Sequence, residues 1–448
     1  MPGLTSTLEI ARSTLLSEQL KVQTASNNIA NADNKYYARQ RVHSVTNPAT
    51  QIAAGWIGNG TRADLITQIR DQYIDQQLMA SNSQGSDYRT RAEQIGIVAA
   101  QLSDNGTTGL SSDLGAFWDA WEALSQNPNG LVEKDQVLAN TKNLVDSIRG
   151  AQSHLDAAQQ SIDAQISANI PEVNELLQQI ATYNQRIMSY EASGQTANDL
   201  RDLRYEALSS LSQHIGISYA EQSNGAVTVD LTDGATSINL VTDQTYGQLQ
   251  YDSATHLISY VDAGGASIAP ASNSLSGGSL SGLVYSLKRV LPPPQGDADS
   301  YQAILNTFTS NLISNVNTAY GAAVFDGTSS ATIAVNATFD NATTIDGTNA
   351  VTVAGLQDQP IAALANNTLG QYLSYLQQRI GQDQSSATNR ANFYESLALD
   401  LQAQQQSISG VSIDEETIDL LKFQQVYSAA AKIVQRTDEM LRTVIDMV

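Results

Sequence analysis

Gly410-Val411-Ser412-Ile413-Asp414-Glu415-Glu416 opens the stretch that decides the fold, and from there to Val448 neither glycine nor proline interrupts a helical pattern. Leu420, Phe423, Tyr427, Ala430, Val434, Thr437, Leu441, Val444 and Val448 recur three and four residues apart, the spacing of one narrow coiled-coil seam. Ser412 followed by Glu415 is the Ser-x-x-Glu pattern of a capping box, so the helix is predicted to start there. At the opposite end of the chain Leu4, Leu8, Ala11, Leu15, Val22, Ala25, Ile29 and Ala32 repeat the spacing, interrupted by Glu18. A helix with so thin a seam buries little alone. The simplest partner for each terminal helix is the other one.

Composition sets outer bounds. With 448 residues the chain exceeds one ordinary core, so two or three domains are expected. The 23 Lys and Arg against 45 Asp and Glu leave a net charge of −22, which excludes a phosphate-binding surface and with it a nucleic-acid partner. Cysteine is absent, so disulfides and thiolate metal sites are excluded. Glu9, Arg12 and Glu18 break up the N-terminus, which does not read as a cleaved signal, and no apolar run approaches membrane-spanning length.

The first helix is predicted to end near Ala32, where Asn31-Ala32-Asp33-Asn34 brings turn formers. Tyr36 to Val42 reads as extended or loop-like. Gly58-Asn59-Gly60-Thr61-Arg62-Ala63 has the look of a dinucleotide loop but lacks a βαβ frame, and is read as a turn leading into Leu65, Ile66 and Ile69. From Arg70 to Gly216 the pattern is almost wholly helical. Phe117, Trp118, Trp121 and Leu124 form an aromatic stripe read as core. Val137, Leu144, Ile148, Ala151, Leu155, Ala158 and Ile162 keep one seam; Ile170, Val173, Leu177, Ile180 and Ile187 keep another. A break or kink is expected before Pro171. Alternating Val227, Val229, Leu231, then Ile238, Leu240, then Leu249, Tyr251, with turns at Asn224-Gly225, Asp233-Gly234 and Gly264-Gly265, predict a compact antiparallel β domain. A Gly/Ser hinge over 274–281 returns the chain to helix until Pro292, and another helix of about twenty residues starts near Tyr301. Alternations at Ile333, Val335 and at Val351, Val353 predict a small β element, and a last long helix covers 368–408.

Several of these stretches resemble one family. Asn27-Asn28-Ile29-Ala30-Asn31-Ala32-Asp33 with Tyr37-Ala38-Arg39-Gln40 resembles the N-terminal signature of bacterial flagellar rod, hook and hook-associated proteins, with Asn34-Lys35-Tyr36 standing where that signature has Thr-x-Gly. Gly410, Asp414, Glu415, Glu416 and Gln424, within Gly410–Glu416 and Leu421–Gln425, are similar to its C-terminal signature. The long helical block, with Leu110-Ser111, Trp121, Asn127-Pro128 and Asn198-Asp199-Leu200-Arg201-Asp202, resembles the hook-associated branch, as does Gly277 to Leu283. The resemblance implies a structural protein of the hook–filament junction. It would assemble head-to-tail with itself in a ring or helical layer, beside hook protein and the next hook-associated protein. Export through the flagellar channel without a cleaved signal, aided by a chaperone, would deliver it to the extracellular flagellum.

The expected fold is α+β and multidomain. Residues 1–50 with 410–448 form a terminal coiled coil, 51–215 with 280–409 a helical middle domain, 216–279 an outer β domain, and 321–360 a small β element. The expected assembly residues are Leu4, Leu8, Leu15, Val22, Ile29, Leu420, Phe423, Tyr427, Val434, Leu441 and Val444. Nothing in the residues spells catalysis or a cofactor. His43, His154, His214 and His256 are scattered without zinc-ligand spacing, and no Gly-x-Ser-x-Gly or Gly-Lys pair occurs. Glu415 and Glu416 read as carboxylates stabilising a helix N-terminus. Residues 216–370 hold twelve acidic side chains against Lys288 and Arg289, read as a solvated face in preference to a weak calcium site at Asp340 and Asp346. The other readings are a hook or rod subunit and, from a different class, a secreted adhesin or effector.

Overall fold

The structure, a computed structural model, describes residues 2–52, 55–103, 109–233, 236–268 and 275–447. The chain ends meet. Helix α1 (Pro2–Ala30) packs antiparallel along the last helix of the chain, with Asn28 beside Glu416 and Lys21 over the ring of Phe423. Between α1 and the body the chain makes a long two-stranded ribbon. Strand β1 (Gln40–Thr46) pairs antiparallel with β4 (Thr61–Gln68), and β2 (Thr50–Ile52) with β3 (Gly55–Ile57) forms the tip. The sequence reading, extended or loop-like for 36–42 and a turn into Leu65, Ile66 and Ile69 for 58–63, did not pair the two stretches as a ribbon. Its strands are exposed on both faces along much of their length, so they carry no apolar alternation to betray them.

The body begins with α2 (Gln72–Gln101), α3 (Leu110–Gln126), α4 (Leu131–Glu191) and α5 (Asn198–His214). Asp71 caps α2 by accepting from the Tyr73 and Ile74 amides. Phe117, Trp118, Trp121 and Leu124 are all buried, and Trp121 packs against both Tyr320 and Phe339. Helix α4 runs through Pro171 without a break, contrary to expectation. Its two seams are continuous across the proline: Ile166, Ile170 and Val173 are all buried, and that packing outweighs one missing backbone hydrogen bond.

Next come β5 (Ile217–Glu221), β6 (Val227–Asp233), β7 (Thr236–Thr242) and β8 (Thr245–Tyr246), forming one antiparallel sheet in that order. Strands β9 (Gln248–Asp252), β10 (Leu257–Val261) and β11 (Ser267–Ile268) form a second, antiparallel with β10 central. Gly234 of the Asp233-Gly234 turn, the first residue of the hinge at 274 and the seam's final Val448 lie outside the described residues. The chain re-enters the body at Gly277 and Gly278, whose φ angles of 74° and 79° carry it past the end of α5; a Cβ on Gly278 would sit 2.3 Å from the Ile215 nitrogen.

Helices α6 (Gly278–Val290) and α7 (Tyr301–Tyr320) complete the body core. The stretch predicted as a small β element contains only a two-residue pair, β12 (Phe325–Asp326) with β13 (Ala334–Val335). Val351 and Val353 belong instead to the short helix α8 (Ala350–Ala354), flanked by 3₁₀ turns. Val353 is buried and Val351 exposed, so a spacing of two was read as a strand where one helical turn puts them on opposite faces. Helix α9 (Leu369–Ser409) starts with a full capping box between Thr368 and Gln371 and pairs along α2. Gly410 to Ser412 separate it from α10 (Ile413–Asp446). At that second start Ser412 Oγ accepts from the Glu415 amide, one half of the capping box the spacing predicts.

Candidate functional site: the terminal helix pair and its polar root

The seam falls between α1 and α10. Ala11, Ala25, Ala430 and Thr437 are buried, while Leu4, Leu8, Leu15, Val22 and Ile29 on one helix and Leu420, Phe423, Val434, Leu441 and Val444 on the other are half-buried. Tyr427 is left 41% exposed. Glu18, which interrupts the seam in sequence, is buried and ion-paired to Lys21 at 2.7 Å. The two helices thus spend their seam on each other.

Where this pair joins the body, signature residues from both ends of the chain converge. Asn28, 1% exposed, accepts the Tyr37 hydroxyl at 2.8 Å and the Gln40 amide at 3.0 Å through Oδ1. Its Nδ2 donates to the Gln40 carbonyl and to Glu416 Oε2, both at 3.0 Å. Arg39 Nε donates to Glu416 Oε1 at 2.6 Å and Nη1 to Glu415 Oε2 at 3.0 Å. The Arg39 backbone ties three passes of chain, donating to the Ser409 carbonyl and accepting from the Ile69 amide. Asn27 donates to the Tyr37 hydroxyl, and Asn31 to the Asn27 carbonyl. A charge buried like Glu416, 3% exposed, is held because its cation and its amide donor are both supplied across 377 or more residues of chain.

Both carboxylates sit in the first turn of α10, as read; Glu416 is in addition the buried acceptor of the root, while Glu415 stays exposed beside Arg39. Gly410 is also explained, since a Cβ there would lie 2.3 Å from the Gln406 carbonyl oxygen. Asp414 and Gln424 are exposed and have no part in the cluster. Tyr36 is not among the residues with positive φ, so the absent glycine of the signature costs nothing. The turn is made by Asn34, whose side chain accepts the Tyr36 amide.

Behind the root lies a second polar layer that no single stretch of sequence announces. Arg70 ion-pairs with Asp202 at 2.9 Å and Asp75 at 3.3 Å, donates to the Tyr36 carbonyl, and lies over the Tyr205 ring. Tyr205 donates to Asp75 and receives Gln405 from α9. Burial pushes the Asp202 carboxyl up to about 7, against the opposing pull of Arg70. Burial and the neighbouring Asp202, Asp199 and Glu416 raise the Tyr37 phenol well above its usual range. Gln40 reaches Asp199, and Arg201 grips Glu191 through two nitrogens and Glu221 through a third. Arg204, 4% exposed, donates to Asn184 and the Gly225 carbonyl, and burial pushes it down to about 10. The 198–204 stretch therefore bolts stalk, body and β sheets together from one helix.

Among the described residues no group of three histidine, aspartate or glutamate side chains could hold a metal, and no helix is long and apolar enough to cross a membrane. His43 faces Thr67, His214 faces Asn169, and His256 sits beside Asp163, each in a separate part of the fold. Asp340 is paired with Lys142, and Asp346 caps a 3₁₀ turn through Thr348.

A stalk of paired chain ends is rooted by residues of both terminal signatures on a long-helix body. Residues 97–333 match the family described as the flagellar hook-associated protein FlgK helical domain, and 402–447 match the C-terminal family of flagellar basal body rod FlgEFG proteins. The chain belongs to the FlgK family of flagellar hook-associated proteins. It is 27% identical to flagellar hook-associated protein 1 of Bacillus subtilis over 98% of this chain and 97% of that protein. Against its counterpart in Salmonella typhimurium it is 28% identical over 63% of this chain and 51% of that protein. A solved structure, the flagellar hook junction protein FlgK from Burkholderia pseudomallei, aligns with a TM-score of 0.49 at 22% identity, covering 56% of this chain and 46% of that one. The family is a structural one, not a family of enzymes.

Proposed function

We propose that this protein forms the hook–filament junction of a bacterial flagellum, assembling head-to-tail with copies of itself between hook protein and the next hook-associated protein. The observation that carries the reading is the hook-associated helical body, residues 97–333, rooted on a stalk made from both chain ends. The seam residues hold the stalk together, Asn28, Tyr37, Arg39, Gln40 and Glu416 among the signature residues hold its root, and assembly runs through the stalk's outer faces. Residues 1–50 with 410–448 act as the assembling unit, 51–215 with 280–409 as the spacer, and the β sheets as the outward-facing part. The protein is exported without a cleaved signal, aided by a chaperone, to an extracellular position, and it performs no catalysis. Head-to-tail contacts between identical subunits generate the ring or helical layer such a junction needs. Sharing 402–447 with rod proteins is compatible with a rod or hook subunit, but the long helical body favours the junction.

Deletion of the gene is expected to leave hooks without filaments and flagellin shed into the medium, with filament growth restored by purified protein added from outside. Normal filaments in the deletion strain would remove the junction role.

A further inference from the structure

Of the three arginines behind the root, Arg204 has no carboxylate bonded to it among the described residues. Arg70 is ion-paired with Asp75 and Asp202, and Arg201 with Glu191 and Glu221. Arg204, 4% exposed, bonds through Nη1 alone, to the Asn184 side-chain oxygen at 3.0 Å and the Gly225 carbonyl at 2.6 Å, both neutral. Glu221 and Glu191 act on it only at longer range. Burying a guanidinium away from any bonded anion is costly. Its Nε and Nη2 are left without a hydrogen-bond partner among the described residues. That edge presents two side-by-side N–H donors, the fork that grips two oxygens of one carboxylate, phosphate or sulfate. Arg201 uses the same edge to hold both oxygens of Glu191.

Arg204 lines a cavity of about 280 Å³ bounded by the base of the ribbon, the start of α2, helix α5 and strands β5 and β6. Arg70 and Arg201 line it as well. Among the described residues Glu221 is the one carboxylate on its wall, and Glu221 is already bonded by Arg201 and Gln72. Asp75, Asp202 and Glu191 stand outside the wall, each on its own arginine. Tyr219 supplies a second unused donor. Its hydroxyl makes no hydrogen bond among the described residues, yet it lies in the field of Arg70, Arg204 and Glu221. Burial and the nearby Asp75 push this phenol up to about 12, so at neutral pH it is an O–H donor and not an anion. The space is slightly below the roughly 300–1,000 Å³ of pockets for drug-sized ligands, which suits an ion of a few heavy atoms. It is a pocket for one ion, not the extended basic face that a nucleic acid needs.

We infer that this cavity binds a single small oxyanion, gripped by the Nε–Nη2 fork of Arg204 and by the Tyr219 hydroxyl. Gln68 of the ribbon base shares the wall, so the ion sits where stalk, body and β sheets meet. A ligand that binds the folded chain alone stabilises it in step with its concentration.

The test titrates inorganic phosphate, sulfate and acetate separately into the full chain at neutral pH, with sodium chloride making up a constant ionic strength. Calorimetry reads binding and thermal unfolding reads the linked stability. Saturable one-to-one binding of at least one probe is expected, with Tm rising as that probe replaces chloride. Which probe binds tightest distinguishes a tetrahedral ion from a carboxylate. No saturable binding of any probe, or a Tm that stays put as each replaces chloride, overturns the site. Tyr219→Phe removes only the hydroxyl and is expected to weaken binding several-fold. Gln72→Glu adds a carboxylate at the exposed rim and is expected to do the same. Binding that neither variant weakens marks an adventitious ion only and overturns the assignment. Arg204→Met is expected to abolish binding; because Arg204 also holds Asn184 and Gly225, the two milder variants decide the matter should it fail to fold.

Discussion

At the scale of single residues, one carboxyl stands out. Asp202 is 7% exposed, shares Arg70 with the more deeply buried Asp75, and has its pKa pushed up to about 7 by burial. The unfolded-state value for an aspartate is about 3.9. Because the folded value is the higher one, the folded chain holds the proton more tightly, and this group's contribution is most favourable below pH ~4. It is lost as pH rises through about 7. Asp202→Asn, which keeps an acceptor for Arg70 without the charge, is therefore expected to stabilise the protein at pH 8 relative to wild type. The advantage should shrink toward pH 5. Urea unfolding of both proteins at the two pH values measures it; a variant weaker at pH 8 than at pH 5 would mean that the Arg70 pair dominates. Asp202 was legible as part of a family-like stretch, but its burial was not, since the groups around it come from residues 38, 68 and 70.

At the scale of elements, the sequence was most readable where one face is buried. The α4 seams, the aromatic stripe of α3 and the alternation of β6 and β7 each state which residues face inward, and all of those are buried. It was least readable where an element is exposed on both faces, as in the β1–β4 ribbon, or too short to show a period, as in α8. Pro171 is the instructive middle case. Its ring costs a helix interior roughly 3 kcal/mol, yet α4 passes through it because Ile166, Ile170, Val173 and Leu177 are packed on both sides. Pro171→Ala restores the missing backbone donor on an exposed position of a helix already in place. It is expected to raise stability by about 1–3 kcal/mol in denaturant unfolding. No gain would show that the helix has already relaxed around the ring.

At the scale of the whole molecule, the chain is a body with its own core and a stalk without one. The buried aliphatic and aromatic side chains cluster almost entirely between residues 79 and 380, whereas the terminal helices contribute mainly small or half-buried positions. A two-helix stalk with so little buried surface is marginal unless neighbours cover it. Removing residues 410–448 is therefore expected to abolish incorporation into flagella while leaving the body folded. Circular dichroism of the truncated chain should still show one cooperative transition. Normal incorporation would overturn the assigned role of the stalk.

What the sequence determined by itself is the class of architecture: helices whose period is written in their apolar residues, a β insertion written in its alternation, and two ends similar to a flagellar signature. Those features are local, or compare one stretch with another, so they survive without coordinates. Only the tertiary structure decided that Asn28, Arg39 and Glu416 form one buried knot, that the ribbon packs along α1, and that Arg70 serves two carboxylates. A polar side chain carries no periodic signal of its destination. Its burial depends on partners hundreds of residues away, and those are known only once the chain has closed on itself.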